Sequence, residues 1–443
     1  MIVYSGVVIF VVTYVLIAAP RLDWLGLDRP AAALAGAVAM VVAGVLTPAQ
    51  AQAAVDAPTI LLLLGVMGMG AFLAVDGFFE RAGVWLAART GSPGGLLGAV
   101  VWGSGGLSAL ITNDAVCVLG APVLVSLIQR YRLPPLPYLL ALATAANTGS
   151  VATLVGNPQN MLCGMLGGLE YGSYALLMAP VAVVGLTMNH AMLAWMFRRE
   201  LGAAVLETGL AVGSLAVDGR NAGRLTEGDG GVDGLNAPDG APHVVSGQGW
   251  RVRGTFGVIA ASAVAYTAGY DLAWASLAGF VVLMFVHRRD TARLWAHVDW
   301  SLLLFFGALF VVVEGFTASG APAWFFERTP LTTDGGWAGW AWLTVLFLVG
   351  SNIVSNVPFI LVVQDQVAAL VPAGAAWELL AMASTFAGNL TLLGSVANII
   401  VASAAQPVGG LTFIAHLRAG APLALGTTLV GWLWVMTLRG LWG

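Results

Sequence analysis

Two octets of small and neutral polar residues stand inside otherwise apolar stretches of this chain. Thr153-Leu154-Val155-Gly156-Asn157-Pro158-Gln159-Asn160 and Thr391-Leu392-Leu393-Gly394-Ser395-Val396-Ala397-Asn398 share the pattern T-L-(V/L)-G-(N/S)-x-x-N. Each follows a shorter polar cluster, Thr112-Asn113-Asp114 in the first case and Ser355-Asn356-Val357-Pro358 in the second. The separations are similar, 47 residues from Asn113 to Asn160 and 42 from Asn356 to Asn398. Gly156-Asn157-Pro158 and Gly394-Ser395 should interrupt a helix, because proline lacks a donor and glycine adds backbone freedom. A broken helix exposes free N–H groups at one new end and free carbonyls at the other. The N–H ends attract anions, and carbonyl ends with Asn or Ser oxygens suit Na⁺.

One Asn or Ser in a span more often glues helices together than binds a ligand. Four clusters in two matched pairs point instead to a shared binding site. The candidate set is Thr112, Asn113, Asp114, Asn147, Thr153, Gly156, Asn157, Asn160, Ser355, Asn356, Asn389, Thr391, Gly394, Ser395 and Asn398. A coupling Na⁺ would sit at Asn113, Asn160, Asn356 and Asn398. Asp114 is the one acid in either short cluster, and a carboxylate inside a membrane is costly. It could carry a coupling proton, ligate Na⁺, or merely cap the helix that follows. Asp76 and Glu314 lie near the ends of apolar runs, where water can reach them, so a structural or interfacial role is expected. Cys117 and Cys163 each follow a cluster by three residues; thiols could meet a soft metalloid, but cysteine is also an ordinary small apolar residue.

These clusters need a membrane around them. Of 443 residues, 59% are hydrophobic and only 9% charged, against about 25% charged in soluble domains. All 18 basic residues are arginine. The lack of lysine removes a P-loop and Schiff-base chemistry. No HExxH or Cys-x-x-Cys is present, no basic patch fits nucleic acid, and no nucleophile–base pairing is visible. No resident cofactor is expected beyond a coupling Na⁺ or H⁺.

Apolar runs of membrane-spanning length fall at 2–19, 31–47, 59–79, 136–165, 172–197, 254–269, 272–287, 299–319, 375–405 and 417–439. Regions 94–130 and 338–372 read as re-entrant hairpins whose polar tips are the two short clusters. The predicted fold is therefore an all-α polytopic membrane protein. It has two inverted-topology repeats, each of five transmembrane helices plus one hairpin, with broken helices at 136–165 and 375–405 near the midplane. Repeat one covers 1–199, a flexible linker 200–253, and repeat two 254–443. Sixteen arginines then fall on one face, and only Arg328 and Arg439 on the other. The positive-inside rule puts the linker in the cytoplasm and both termini outside, in the cell (inner) membrane.

On Ile111-Thr112-Asn113-Asp114, Gly156 to Asn160, Ser355 to Pro358 and Gly388-Asn389-Leu390-Thr391 through Asn398, the chain resembles the ion transporter superfamily. That superfamily includes divalent anion/sodium symporters, citrate transporters, arsenite permeases and one class of Na⁺/H⁺ antiporter. In dicarboxylate members a Ser-Asn-Thr motif occupies each hairpin tip. The resemblance implies that Asn113 and Asn356 contact substrate or ion, with Thr112 and Ser355 beside them. The closing Thr is replaced by Asp114 and by Val357, and an Asn-Asp pair looks more like arsenite permeases. The resemblance also implies an elevator motion and a homodimer. The expected function is secondary active transport of a small anion, a di- or tricarboxylate or an inorganic anion, coupled to Na⁺ or H⁺. Arsenite efflux and Na⁺/H⁺ antiport are the alternatives. With no arginine or lysine inside a span core, the anion would depend on helix ends and neutral side chains.

Overall fold

The computed structural model describes residues 2–18, 27–204, 249–288, 291–334 and 336–441. The centre of the predicted linker lies outside the described residues, and its last part, from Gly249, begins the helix Gly249–Thr267. Among the described residues the ordered elements are helices, with no strand. Six are long and apolar enough to cross a membrane by length and composition: Ala57–Val75, Asn113–Tyr131, Tyr171–Met196, Trp300–Ala318, Trp337–Val354 and Phe413–Arg439. Arg29–Val42 and Leu272–His287 are shorter apolar helices.

Both predicted polar tips are helix–helix junctions. Pro93–Ser108 leads through Ala109 to Thr112 into Asn113–Tyr131. Trp337–Val354 leads into Asn356–Ala368 with Ser355 alone between them. Ser355 carries φ 79° and ψ 151°, a backbone region that is otherwise nearly confined to glycine. Asn113–Tyr131 and Trp337–Val354, each one arm of a predicted hairpin, have the length of a full span.

Both octets break their helices. The first helix ends at Ser150 and resumes at Pro158, where proline at the first helical position costs no hydrogen bond. The second ends at Leu390, passes through a 3-10 turn Leu392–Gly394, and resumes at Val396. The helices before the breaks form the centre of the molecule: residues 137–150 and 375–389 are buried without exception. Close approach makes that possible. Pro93–Ser108 packs on Pro135–Ser150 so tightly that a Cβ on Gly149 would lie 2.1 Å from the Gly105 carbonyl oxygen. Small residues serve this purpose in membrane helices, where apolar burial gives helices no special attraction.

Of its two expected roles Asp76 takes the structural one. It is 1% exposed and pairs with His287 Nδ1 at 3.1 Å, joining helix Ala57–Val75 to Leu272–His287. Its partner lies in the other half of the chain, so no local pattern announces it. Glu314 is exposed.

Candidate functional site

The two breaks meet each other through reciprocal hydrogen bonds. Asn160 and Asn398 hold equivalent places in their octets and make equivalent bonds. Asn160 Nδ2 donates to the carbonyls of Ser150 and Thr153, both at 3.1 Å. Asn398 Nδ2 donates to those of Gly388 at 2.7 Å and Thr391 at 3.1 Å. Each asparagine thereby satisfies carbonyls freed by its own break.

Across the halves the pattern repeats. Thr385 bridges the first octet: its hydroxyl accepts from Asn157 Nδ2 at 3.1 Å and donates to Asn160 Oδ1 at 2.8 Å. Asn147, which stands to the first octet as Thr385 stands to the second, bridges the second octet. Its Nδ2 donates to Asn398 Oδ1 at 3.0 Å and to Asn389 Oδ1 at 3.1 Å. Its Oδ1 accepts from Ser395 Oγ at 3.0 Å and from Asn113 Nδ2 at 2.8 Å. Asn389 Nδ2 returns to the first half, donating to Thr148 Oγ1 at 3.0 Å. Asn157 caps the resumed helix, its Oδ1 accepting from Asn160 N at 2.8 Å.

The tips dock on these breaks. Asn113 N donates to the Gly156 carbonyl at 2.9 Å, and Asn356 Nδ2 donates to that of Gly394 at 3.3 Å. Thr153 Oγ1 donates to the Ala109 carbonyl at 2.8 Å, while Thr391 Oγ1 donates to Asn352 Oδ1 at 2.9 Å. Gly156 fits only without a side chain, since a Cβ there would sit 2.2 Å from the Ser150 carbonyl oxygen.

A cavity of about 50 Å³ lies where tips and breaks converge. Of the predicted residues, Asn113, Asp114, Ser355, Asn356, Gly394 and Ser395 line it. Asn113 Oδ1 and Asn356 Oδ1 are buried and hold no hydrogen-bond partner, so two acceptors of matched origin stand unsatisfied. Such groups are costly to bury and usually mark a missing partner. Thr112 accepts from Ala115 N at 3.4 Å and caps the helix, which leaves Asp114 free of that duty. Asp114 instead meets the backbone amide of Ala397, in the first turn of Val396–Ala404. It also lines a second space of about 390 Å³ that adjoins the first, walled by Thr112, His297, Asp299 and Trp300 among others.

The remaining predicted residues, Asn147, Thr153, Gly156, Asn157, Asn160, Asn389, Thr391 and Asn398, stand behind the cavity and hold its walls. Cys117 and Cys163 are fully buried and line neither space. Three participants escape a reading of motifs. Thr385 and His416 join the network, with His416 Nε2 3.1 Å from the Asn389 carbonyl oxygen and 3.3 Å from Asn398 Nδ2. Arg29 lines the cavity itself. It precedes an apolar run by two residues, and nothing local shows that it turns inward. The sequence-based expectation that no fixed positive charge reaches the site is therefore corrected. Among the described residues no group of three or more His, Cys, Asp or Glu could hold a metal ion.

The profile of the citrate transporter family, CitMHS, matches residues 13–387. The silicon efflux transporter LSI3 of Oryza sativa subsp. japonica is 34% identical, over 97% of this chain and 96% of its own length. The putative transporter arsB of Dictyostelium discoideum is 24% identical, over 97% of this chain and 91% of its own. Among solved structures, the Alcanivorax borkumensis YdaH transporter aligns with a TM-score of 0.51 at 14% identity, covering 99% of this chain and 98% of that one. That likeness concerns the fold.

Proposed function

The chain belongs to the citrate transporter family within the ion transporter superfamily, and we propose that it is a secondary active permease moving a small anion by alternating access. It is an integral membrane protein. The observation that carries the reading is the cavity between the two tips and the two breaks, lined by Asn113 and Asn356, whose buried amide oxygens have no hydrogen-bond partner. Amide oxygens, two serine hydroxyls, one carboxylate and free helix-end amides supply both donors and acceptors. In this reading Asn113, Ser355, Asn356 and Ser395 contact the substrate. Asn160, Asn389 and Asn398 hold the breaks open behind it, and a coupling Na⁺ or a proton on Asp114 drives the cycle.

Size favours one end of the substrate range. A water occupies roughly 10–15 Å³ on this measure of volume, so about 50 Å³ admits a few waters or one small inorganic oxyacid. A tricarboxylate would need the site to open further. Similarity to a silicon efflux transporter and to a putative arsB transporter supports the same choice, and we infer the monoanions of arsenous and silicic acid, present at alkaline pH, as the first substrates to try.

The reciprocal bonds at Thr385 and Asn147 support two inverted repeats, with the tips as re-entrant hairpins. On that topology the linker and Arg29 face the cytoplasm, both termini face outward, and the larger adjoining space opens to the cytoplasm. The tips and broken helices would move together as an elevator, in a homodimer within the cell membrane.

The test is uptake of arsenite, silicic acid and citrate into proteoliposomes, under separately imposed pH and Na⁺ gradients. Saturable, gradient-driven uptake that Asn113→Ala and Asn356→Ala each reduce to background, with both variants eluting as folded protein, is the expected result. Wild-type rates from either variant would sink the site assignment.

A further inference from the structure

We propose that Arg29 is a substrate-binding residue, the fixed positive charge that makes this cavity select a small singly charged oxyacid anion still bearing hydroxyl groups. The inference rests on the reading of the cavity as the transport site, and it names the substrate class of that site.

Arg29 opens the helix Arg29–Val42 and lines the cavity together with Asn113, Asp114 and Asn356. It is half-buried, and no carboxylate of the described residues lies within ion-pairing distance of its guanidinium. The two nearest candidates are otherwise placed. Asp28, its neighbour in sequence, is turned back as the helix cap, with its Oδ1 accepting from Ala31 N at 2.9 Å. Asp114 shares the cavity wall without reaching it. A partly desolvated guanidinium without a counter-charge is unfavourable, and an entering anion relieves it. The planar fork of guanidinium N–H groups fits two oxygens of an oxyanion.

Two other residues of the lining ask for something else. Asn113 Oδ1 and Asn356 Oδ1 are acceptors without donors, on residues only 2% and 6% exposed. A fully deprotonated oxyanion such as sulfate would present acceptors to acceptors there. A hydroxylated one turns its O–H groups to the two asparagines and its charged oxygens to Arg29. One small ligand then satisfies all three groups, within a volume of about 50 Å³.

Arg29 also differs in origin from its neighbours at the site. Its helix packs on Ile2–Ala18 and Trp300–Ala318, and carries none of the tip or break residues.

The experiment uses purified full-length protein in proteoliposomes, with phosphate and arsenite titrated across pH, and sulfate and citrate as contrasts. Wild type should take up phosphate or arsenite in proportion to the singly charged, hydroxylated form, and sulfate and citrate at least tenfold more slowly. Arg29→Gln should raise KM for that form at least tenfold and flatten its pH dependence, and Arg29→Lys should restore part of both. Arg29→Met, which keeps the apolar stem, replaces Arg29→Gln if the latter does not elute as folded protein. An unchanged KM and pH profile in the folded neutral variant overturns the role of Arg29 while leaving the transport site standing. Faster wild-type uptake of sulfate overturns the substrate class. Uptake of none of the four, nor of silicic acid, by folded wild type removes the transport-site reading, and this inference with it.

Discussion

Asn147 donates to Asn398 Oδ1 across 251 residues of sequence, at 3.0 Å, and so fastens the centre of one half to the break of the other. The same side chain accepts from Asn113 and Ser395, both of which line the cavity. It is a positioning residue whose four bonds connect tip, break and partner half.

Replacement of Asn147 by leucine should therefore cost stability first. Removing one partner of a buried hydrogen bond leaves the other unsatisfied at about 1–3 kcal/mol, and four partners are involved here. A fall in the detergent melting temperature of several degrees, larger than for Thr385→Val, is the expected outcome. Equal melting temperatures for the two variants would remove Asn147 from its central place.

Asp114→Asn should leave folding intact, because Thr112 and not Asp114 caps Asn113–Tyr131. Substrate exchange without a gradient should persist, and stimulation by the coupling gradient should disappear. Gradient-driven uptake at the wild-type ratio would show that Asp114 carries no coupling ion.

Ser355 holds φ 79° at the second tip, which costs on the order of 1–3 kcal/mol for a non-glycine residue. Ser355→Gly should raise the melting temperature, through release of that strain, and lower uptake through loss of the hydroxyl that lines the cavity. A lower melting temperature would mean that Ser355 is held without strain.

Gly149 has the Gly105 carbonyl where its Cβ would be, at 2.1 Å. Gly149→Ala must push two central helices apart, and overpacking of this kind costs about 1–3 kcal/mol. Reduced recovery of monodisperse protein, with Gly94→Ala unaffected because nothing lies within 4 Å of its Cβ position, would confirm the close approach.

Asp76 and His287 form a buried pair between the halves. Removing one side of a buried hydrogen-bonded pair leaves the other unsatisfied at about 1–3 kcal/mol. Asp76→Ala should destabilise more than the double change Asp76→Ala with His287→Phe, by melting temperature. The reverse order would mean that the pair contributes little.

The site was legible wherever chemistry repeats along the chain. Thr153 to Asn160 and Thr391 to Asn398 announce their breaks through glycine, proline and asparagine, and both tips through polar residues in apolar context. Residues that act by approach from elsewhere left no such mark. Arg29 follows an acid and precedes Pro30, as an ordinary residue between spans would. His416 is a lone histidine near Arg418. Asp76 reads as structural or interfacial alike until His287 arrives from another element. The division between wall and support was equally hidden, because Asn160 and Asn398 have the same composition signal as Asn113 and Asn356. Only the fold places Asn160 and Asn398 behind the cavity and Asn113 and Asn356 in its lining.

The amide stitching between the halves also bears on how the chain is made. Asn157 finds its Thr385 partner 228 residues later, and Asn147 its Asn389 partner 242 residues later. During synthesis the Asn147 amide waits for Asn389 and Asn398, and that of Asn157 has Ser150 Oγ alone, until the last quarter of the chain emerges. Neither half is therefore a self-sufficient insertion unit. If the protein is expressed as two fragments cut between residues 205 and 248, each alone should be degraded, and together they should rebuild the carrier.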